Sequence, residues 1–371
     1  MRRAYISVIN DLVTDQRVNR VALLLYELGF DVICFGRRLR ASPKLQNNPI
    51  RYRRYRMLFT GGPLFYAFFN LRLLTSLLFA RRPALLVSND LDTLPANYMA
   101  SKIRKVPLIY DSHELFTQVP ELVHRKRIQS VWKWIERLLV PRIGHAVTVS
   151  YSIATIYRRL YGTRFLVVRN VPARIEYKSS DVERTGPQMI IYQGALNLGR
   201  GLELMIDAMA FLPGIRFVMA GSGDIEKELR QRVSGKGLQD RIEFKGRLKP
   251  EELFQLTRSA DLGISLEEDL GMSYRYSLPN KLFDYIQCRV PVLCSSLPEM
   301  SRIVDTYGIG ISTREKDPEK LAGIIRFMLK ERAGGAWMNA LEKAARELCW
   351  EKESLVYLEL LRDCGVLDGH S

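Results

Sequence analysis

Acidic residues are absent from one long stretch of this 371-residue chain: between Asp31 and Asp90 there is no aspartate or glutamate. The same span holds eleven lysines and arginines. Histidine and cysteine are scarce, at 4 and 5 residues, and Cys34, Cys288, Cys294, Cys349 and Cys364 are odd in number with no metal or redox spacing. That argues against a disulfide framework and for a reducing compartment. No low-complexity tract or internal repeat interrupts the chain, so neither a solenoid nor a disordered tail accounts for it. The most apolar stretch, 57–80, is broken by Gly61, Gly62, Pro63 and Arg72, which leaves it short of the roughly 18 uncharged residues of a spanning helix. The start, MRRAYISVIND, reads as a buried first strand and not as an export signal. The expectation is a cytoplasmic chain that is not integral to a membrane.

What is present is a globular composition, 47% hydrophobic and 26% charged, in a chain long enough for two full-sized cores. The net charge of +16 is unevenly placed. Residues 1–185 carry 31 basic against 13 acidic residues, and residues 186–371 carry 25 against 27. One domain is therefore expected to meet something anionic.

Short β-branched runs alternate with helical patterns over 1–170, lapse into the polar stretch 171–187, and restart over 188–349, with a last helix in 350–371. Alternation of this kind makes parallel sheets covered on both faces. The expected fold class is α/β, with two Rossmann-like doubly wound domains joined by a linker at 171–187. Open α/β sheets bind ligands at the carboxyl ends of their strands, so a cleft between the domains is the expected site.

Several loops at predicted strand ends carry chemistry. After the strand at 188–193 comes Gly194-Ala-Leu-Asn-Leu-Gly199-Arg200-Gly201, where glycines let backbone N–H groups approach a ligand and a helix begins. Arg200 would add a cation suited to phosphate. Gly221-Ser-Gly223 follows the next strand. Such glycines serve packing as often as binding. In Tyr276-Ser277-Leu278-Pro279-Asn280-Lys281-Leu282-Phe283-Asp284, Pro279 suits a first helical turn, leaving the Ser277 and Leu278 amides as free donors. Lys281 and Asp284 then share a helix face, as a phosphate cation and a ribose acceptor or as a surface ion pair. In the first domain, Asp15 and Gln16, Asp90 and Asp92, and His113 and Glu114 lie at strand ends on one rim with Arg17. Asp15 and Gln16 fit equally well as first-turn helix residues, and His113 as a loop-stabilising residue.

In these stretches, above all VSNDLDTLPANYMASKIRKVPLIYDSHELF, YQGALNLGRGLELMIDAM, FVMAGSGDIEKELR and YSLPNKLFDYIQCRVPVLCSSLPEM, the chain resembles the family 4 glycosyltransferases (glycosyl transferases group 1). The resemblance runs over nearly the whole length. It implies the GT-B fold and sugar transfer with retention from a nucleotide-diphospho-sugar, a UDP-sugar by expectation, without metal or other cofactor. By position, Arg200 and Lys281 match the family's cations on the donor diphosphate, and Asp284 matches the glutamate that binds the ribose. Gly246, Arg247 and Leu248 match the loop that frames the base, and His113 a contact to the donor sugar or diphosphate. The donor side is thus expected to comprise Gly194, Gly199, Gly201, Gly221, Gly223, Arg247, Leu248, Tyr276, Ser277, Leu278, Asn280 and Asp284. The acceptor side comprises Asp15, Gln16, Asp90, Asp92 and Glu114. Tyr276 stands where the family has the first of two glutamates, and Ala195 where it often has arginine.

The basic, aromatic span (GRRLRASPK, RYRRYRMLF, PLFYAFFNLRLL, FARRP) suits an anionic membrane surface. Peripheral contact with the inner face of the cell membrane, a glycan or lipid-linked acceptor and a role in cell-envelope polysaccharide synthesis are expected. The other reading makes Phe65, Tyr66, Phe68, Phe69, Leu73 and Leu74 core residues of a Rossmann helix. Two rival functions remain: a catalytically impaired nucleotide-sugar-binding subunit, and a basic nucleic-acid-binding protein, for which no recognition motif is present.

Overall fold

Alternating buried strands and amphipathic helices fold here into two parallel α/β units, one of Met1–Asn170 with Ser354–Ser371, the other of Val171–Glu353. The computed structural model describes residues 2–12, 15–39, 49–59, 61–176 and 186–367. Of the expected linker, 177–185 lies outside the described residues, as do Arg40 and Lys44 of the basic span.

The first unit runs β1 (Arg3–Asp11), α1 (Gln16–Glu27), β2 (Asp31–Arg37), β3 (Arg51–Tyr55), α2 (Gly62–Phe79), β4 (Leu85–Asn89), α3 (Leu94–Arg104), β5 (Leu108–Ser112), α4 (Pro120–Val123), α5 (Lys126–Leu139), β6 (His145–Thr148), α6 (Tyr151–Tyr161) and β7 (Leu166–Val167). Its seven strands are parallel in the order β3-β2-β1-β4-β5-β6-β7. The order reverses beside β1, so the carboxyl ends of β1 and β4 flank the crevice where such sheets bind ligands.

The second unit runs β8 (Met189–Gln193), α7 (Leu202–Met209), β9 (Arg216–Ala220), α8 (Glu226–Gly235), β10 (Ile242–Gly246), α9 (Pro250–Arg258), β11 (Leu262–Ser265), α10 (Met272–Arg275), α11 (Asn280–Gln287), β12 (Val292–Ser295), α12 (Pro298–Tyr307), β13 (Gly310–Thr313), α13 (Pro318–Ala333) and α14 (Met338–Glu347). The order β10-β9-β8-β11-β12-β13 is parallel throughout, with its switch point between β8 and β11. Successive residues of a strand enter opposite cores: Ile190 and Tyr192 pack with Phe217 and Met219 on one face, Met189 and Ile191 with Val218 and Val292 on the other. That is why these strands read as continuous apolar runs. The hydroxyl of the buried Tyr285 on α11 ties the switch point together, donating to the Ile264 carbonyl at 3.1 Å while the Gln193 amide donates to it at 3.3 Å.

A final helix, α15 (Trp350–Asp363), divides between the units, its residues from Ser354 onward grouping with the first. There Tyr357 is fully buried, and Arg2 donates to the Val366 carbonyl at 2.6 Å.

Helix α2 falls where the sequence pattern places a helix, at 63–80, but the apolar stretch read as broken is not shortened within it. It runs 18 residues without interruption and is long and apolar enough to cross a membrane by length and composition alone, with 22% of it buried in the fold. Gly61 and Pro63 start the helix and do not interrupt it. Arg72 lies on the surface with its guanidinium 4.7 Å from the Tyr55 ring. Phe65, Phe69, Leu73 and Leu77, spaced four apart, form its buried stripe, whereas Leu64, Leu71 and Phe79 are exposed.

Candidate active site

At the carboxyl end of β8 the chain turns through Gly194, and the carbonyl of Gly194 lies so near Gly221 that a Cβ there would collide with it. Gly221 also has φ 152°, a conformation that side-chain-bearing residues rarely adopt. Two glycine turns at neighbouring strand ends are thus pressed together. Gly201, at φ 68°, packs on the Leu266 carbonyl, and Gly199 and Gly223 approach Leu270 and the Leu196 carbonyl just as closely. Packing within the loops accounts for these four glycines.

Beside Gly194 sits a buried cluster of charge. The Lys281 ammonium, on the first turn of α11, lies 2.6 Å from Glu267 Oε1 and 4.1 Å from the centre of the Tyr192 ring. Arg200 Nη1 stands 3.7 Å from the same carboxylate oxygen, and its guanidinium 5.2 Å from the Tyr274 ring. Ser265 donates to the second oxygen of Glu267 at 2.7 Å. Side-chain exposure is 7% for Lys281, 0% for Glu267 and 27% for Arg200. Burial pushes the Lys281 amine below its ordinary value against the pull of Glu267. Burial also opposes the Glu267 charge, but Lys281, Ser265 and Arg200 outweigh it and hold the carboxyl low. Within this cluster two cations face one anion.

Asp284, one turn along α11, accepts from Gln193 Nε2 at 2.6 Å, and Thr257 donates to the Gln193 oxygen at 2.7 Å. Lys281 and Asp284 therefore do not form a surface pair with each other: each is held by a different residue of the switch point. Arg247 is exposed and donates to Ser222 at 2.7 Å, next to Gly221. Two expectations for the helix start fail. Pro279 is the residue before the first turn of α11, and the Ser277 amide is taken by the Tyr274 carbonyl at 3.2 Å, because α10 closes the chain on itself just before. Tyr276 lies in that closing turn, its amide bonded to the Met272 carbonyl at 3.2 Å. Leu278 packs on the core, and Asn280 is exposed.

In the first unit, Asp90 follows β4 in left-handed backbone, φ 57°. Its carboxylate accepts from the His113 amide at 2.9 Å and faces His113 Nδ1 at 3.4 Å. The other ring nitrogen, Nε2, is 3.2 Å from Asn89 Oδ1 and 3.8 Å from Asp111 Oδ1. Burial opposes an imidazolium here, but Asp90 and Asp111 outweigh it and raise the His113 pKa. Asp92 is buried, its Oδ1 without a hydrogen-bond partner among the described residues, and burial, then Asp90 and Glu114, push its carboxyl well above the usual range. Arg17, expected on the rim, is buried. It forks onto Asp111 through Nε at 3.0 Å and Nη2 at 2.7 Å and donates to the Val168 carbonyl at 2.6 Å, since a buried carboxylate needs such a partner. Asp15 caps α1 by accepting from the Val18 amide at 3.1 Å, and Gln16 is exposed, accepting from Arg20 at 3.2 Å. Glu114 is exposed, and its carbonyl accepts from Ser112 Oγ at 2.9 Å.

The family model of the glycosyl transferases group 1 matches residues 173–348, and that of glycosyltransferase family 4 matches residues 16–171. The chain belongs to the group 1 glycosyltransferases.

The chain has the GT-B fold of its structural neighbours. A sucrose-phosphate synthase from Thermosynechococcus elongatus superposes with a TM-score of 0.78 at 17% identity, covering 98% of this chain and 99% of that one. HepE of Anabaena, solved in complex with UDP, gives 0.75 at 17% identity over 98% and 100%. In sequence, an uncharacterised glycosyltransferase of Methanocaldococcus jannaschii is 24% identical over 183 residues, 48% of this chain and 45% of that protein. A chitobiosyldiphosphodolichol beta-mannosyltransferase of Candida albicans is 22% identical over 236 residues, 59% of this chain and 48% of that protein. The chain thus matches 45% and 48% of these curated relatives, about half their length.

Sequence reasoning missed two residues of the charged site, Glu267 and Gln193. Glu267 is the second residue after the apolar strand LGIS, and an acidic residue that close to a buried strand end was the available signal. Gln193 is the last residue of β8, where a polar side chain ends an apolar run.

Proposed function

We propose that the second unit binds a nucleotide-diphospho-sugar, a UDP-sugar in the first instance, and that the enzyme transfers the sugar with retention and without a metal ion. The observation that carries this reading is the buried Lys281–Glu267–Arg200 cluster beside Gly194. Burying an ammonium costs stability even when a carboxylate pairs with it, and desolvated charge clusters of this kind concentrate at functional sites. Breaking the bond between the sugar's anomeric carbon and the diphosphate builds negative charge on the leaving oxygens. Lys281, Arg200 and the amides at the start of α7 then stabilise the transition state more than the ground state. The acceptor oxygen bonds to the anomeric carbon on the face the diphosphate leaves, and its proton passes to a phosphate oxygen. Asp284, set by Gln193, accepts the ribose hydroxyls; Arg247 and Leu248 frame the base; His113 orients the sugar or its diphosphate. UDP bound to HepE supports the choice of nucleotide.

On the first unit, Asp90, Asp92 and Glu114 receive the acceptor, a glycan or lipid-linked sugar of the cell envelope. The exposed Leu64, Leu71 and Phe79 of α2, among the arginines of the basic span, support peripheral contact with an anionic membrane at its cytoplasmic face. No nucleic acid takes part in this reading.

The test is turnover. UDP, GDP and ADP sugars are offered to the purified chain with and without EDTA, and the anomeric configuration of the product is read by NMR. Slow release of one nucleoside diphosphate, retained configuration and no effect of EDTA are expected. Binding of a nucleotide sugar without any turnover would favour the impaired subunit, with Tyr276 in place of the family's glutamate. No binding at all would refute the reading.

A further inference from the structure

Between α2 and α5 the first unit carries a groove of about 540 Å³. Its walls are mainly apolar, with Tyr66 and Ala67 from α2 facing Ile128, Val131 and Trp132 from α5. Tyr66 and Trp132 meet edge to face at 5.0 Å. A sugar would leave its hydroxyls unsatisfied against such walls, whereas a hydrocarbon chain loses nothing there. Two further lining residues are cations, Arg125 and Arg127, both exposed, and neither forms an ion pair among the described residues. The groove also reaches the acceptor-side loop. Asn70 in its wall donates to the Asp92 carbonyl at 2.7 Å and accepts from the Ala96 amide at 3.2 Å. An apolar channel, cations without an ion pair among the described residues and continuity with the loop of the buried Asp92 together fit one kind of ligand.

We propose that this groove holds the hydrocarbon chain of a phosphate-headed lipid acceptor, with Arg125 and Arg127 on its phosphate and its sugar directed to the Asp92 loop. The proposal rests on the reading of the chain as a transferase with a lipid-linked acceptor and names where that lipid is held.

Farnesyl diphosphate is the probe, titrated calorimetrically into the full chain, with inorganic pyrophosphate titrated separately to read the binding of phosphate alone. Binding of the probe is expected. Ala67→Phe, which narrows the groove from an exposed position, and the double variant Arg125→Ala with Arg127→Ala are each expected to weaken it by about tenfold or more. In both variants the shift in melting temperature that UDP gives the parent is expected to persist, since the donor unit is untouched. A parent stabilised by UDP that ignores the probe, or that binds it as tightly after Ala67→Phe, overturns the groove and leaves the donor reading standing. A chain that binds the probe in the groove and no nucleotide supports the groove and overturns the donor reading.

Discussion

Lys281 and Glu267 form a closed ion pair, nitrogen to oxygen 2.6 Å, in which neither side chain is more than 7% exposed. Each makes the other tolerable. The pair holds Lys281 at the strand end before any ligand arrives, and a bound anion then competes with the carboxylate for it.

Removing one member should therefore cost more than removing both. Lys281→Met leaves the buried Glu267 charged with only Arg200, 3.7 Å away, and Ser265 against it, and a loss of about 3 kcal/mol is expected. Adding Glu267→Gln to the same chain should recover most of that. Urea unfolding of the parent, single and double variants checks this, and equal losses in single and double would contradict it.

Gly221 has no room for a side chain, since a Cβ would strike the Gly194 carbonyl and φ is 152°. Gly221→Ala should therefore cost about 1–3 kcal/mol and push the two turns apart. Nucleotide affinity should fall with it. Stability and UDP affinity both matching the parent would show that the turns are not packed as described.

His113 gives the pH dependence. Its pKa is raised above 6.5 in the folded chain, because Asp90 and Asp111 outweigh the cost of burial. The stabilisation from its charge is fully present below the unfolded value of about 6.5 and is lost as pH rises through the higher folded value. An NMR titration should place the His113 midpoint above 6.5, and Asp90→Asn should lower it. A midpoint at or below 6.5 in the parent would refute this account of the loop.

Most of the architecture is legible in the alternation of apolar strands with amphipathic helices, because most strands, β1, β2, β4, β5, β8, β11 and β12 among them, are buried on both faces. β3 escapes, since Arg51-Tyr-Arg-Arg-Tyr55 is an edge strand whose polar face looks like a basic loop. So do α12 and β13, whose four-residue strand GIST has only half-buried side chains. In the charged site, Arg200 and Lys281 carry visible signals: a glycine-flanked arginine and a lysine just past a proline. Glu267 carries only a weak one, its place just past a buried strand, because its burial comes from pairing with a lysine brought to it only by the tertiary fold. Arg17 misleads for the same reason, since nothing local shows that Asp111 turns it inward.

The central claim is that Arg200 and Lys281 grip a diphosphate, and a calorimetric titration of UDP into the parent and Arg200→Ala tests it most directly. Arg200 is partly exposed, so its loss should leave the melting temperature nearly unchanged. The account predicts that the parent binds UDP and that the variant binds it at least about tenfold more weakly, roughly 1.4 kcal/mol or more. Equal affinity in parent and variant, or no UDP binding by the parent, would contradict it.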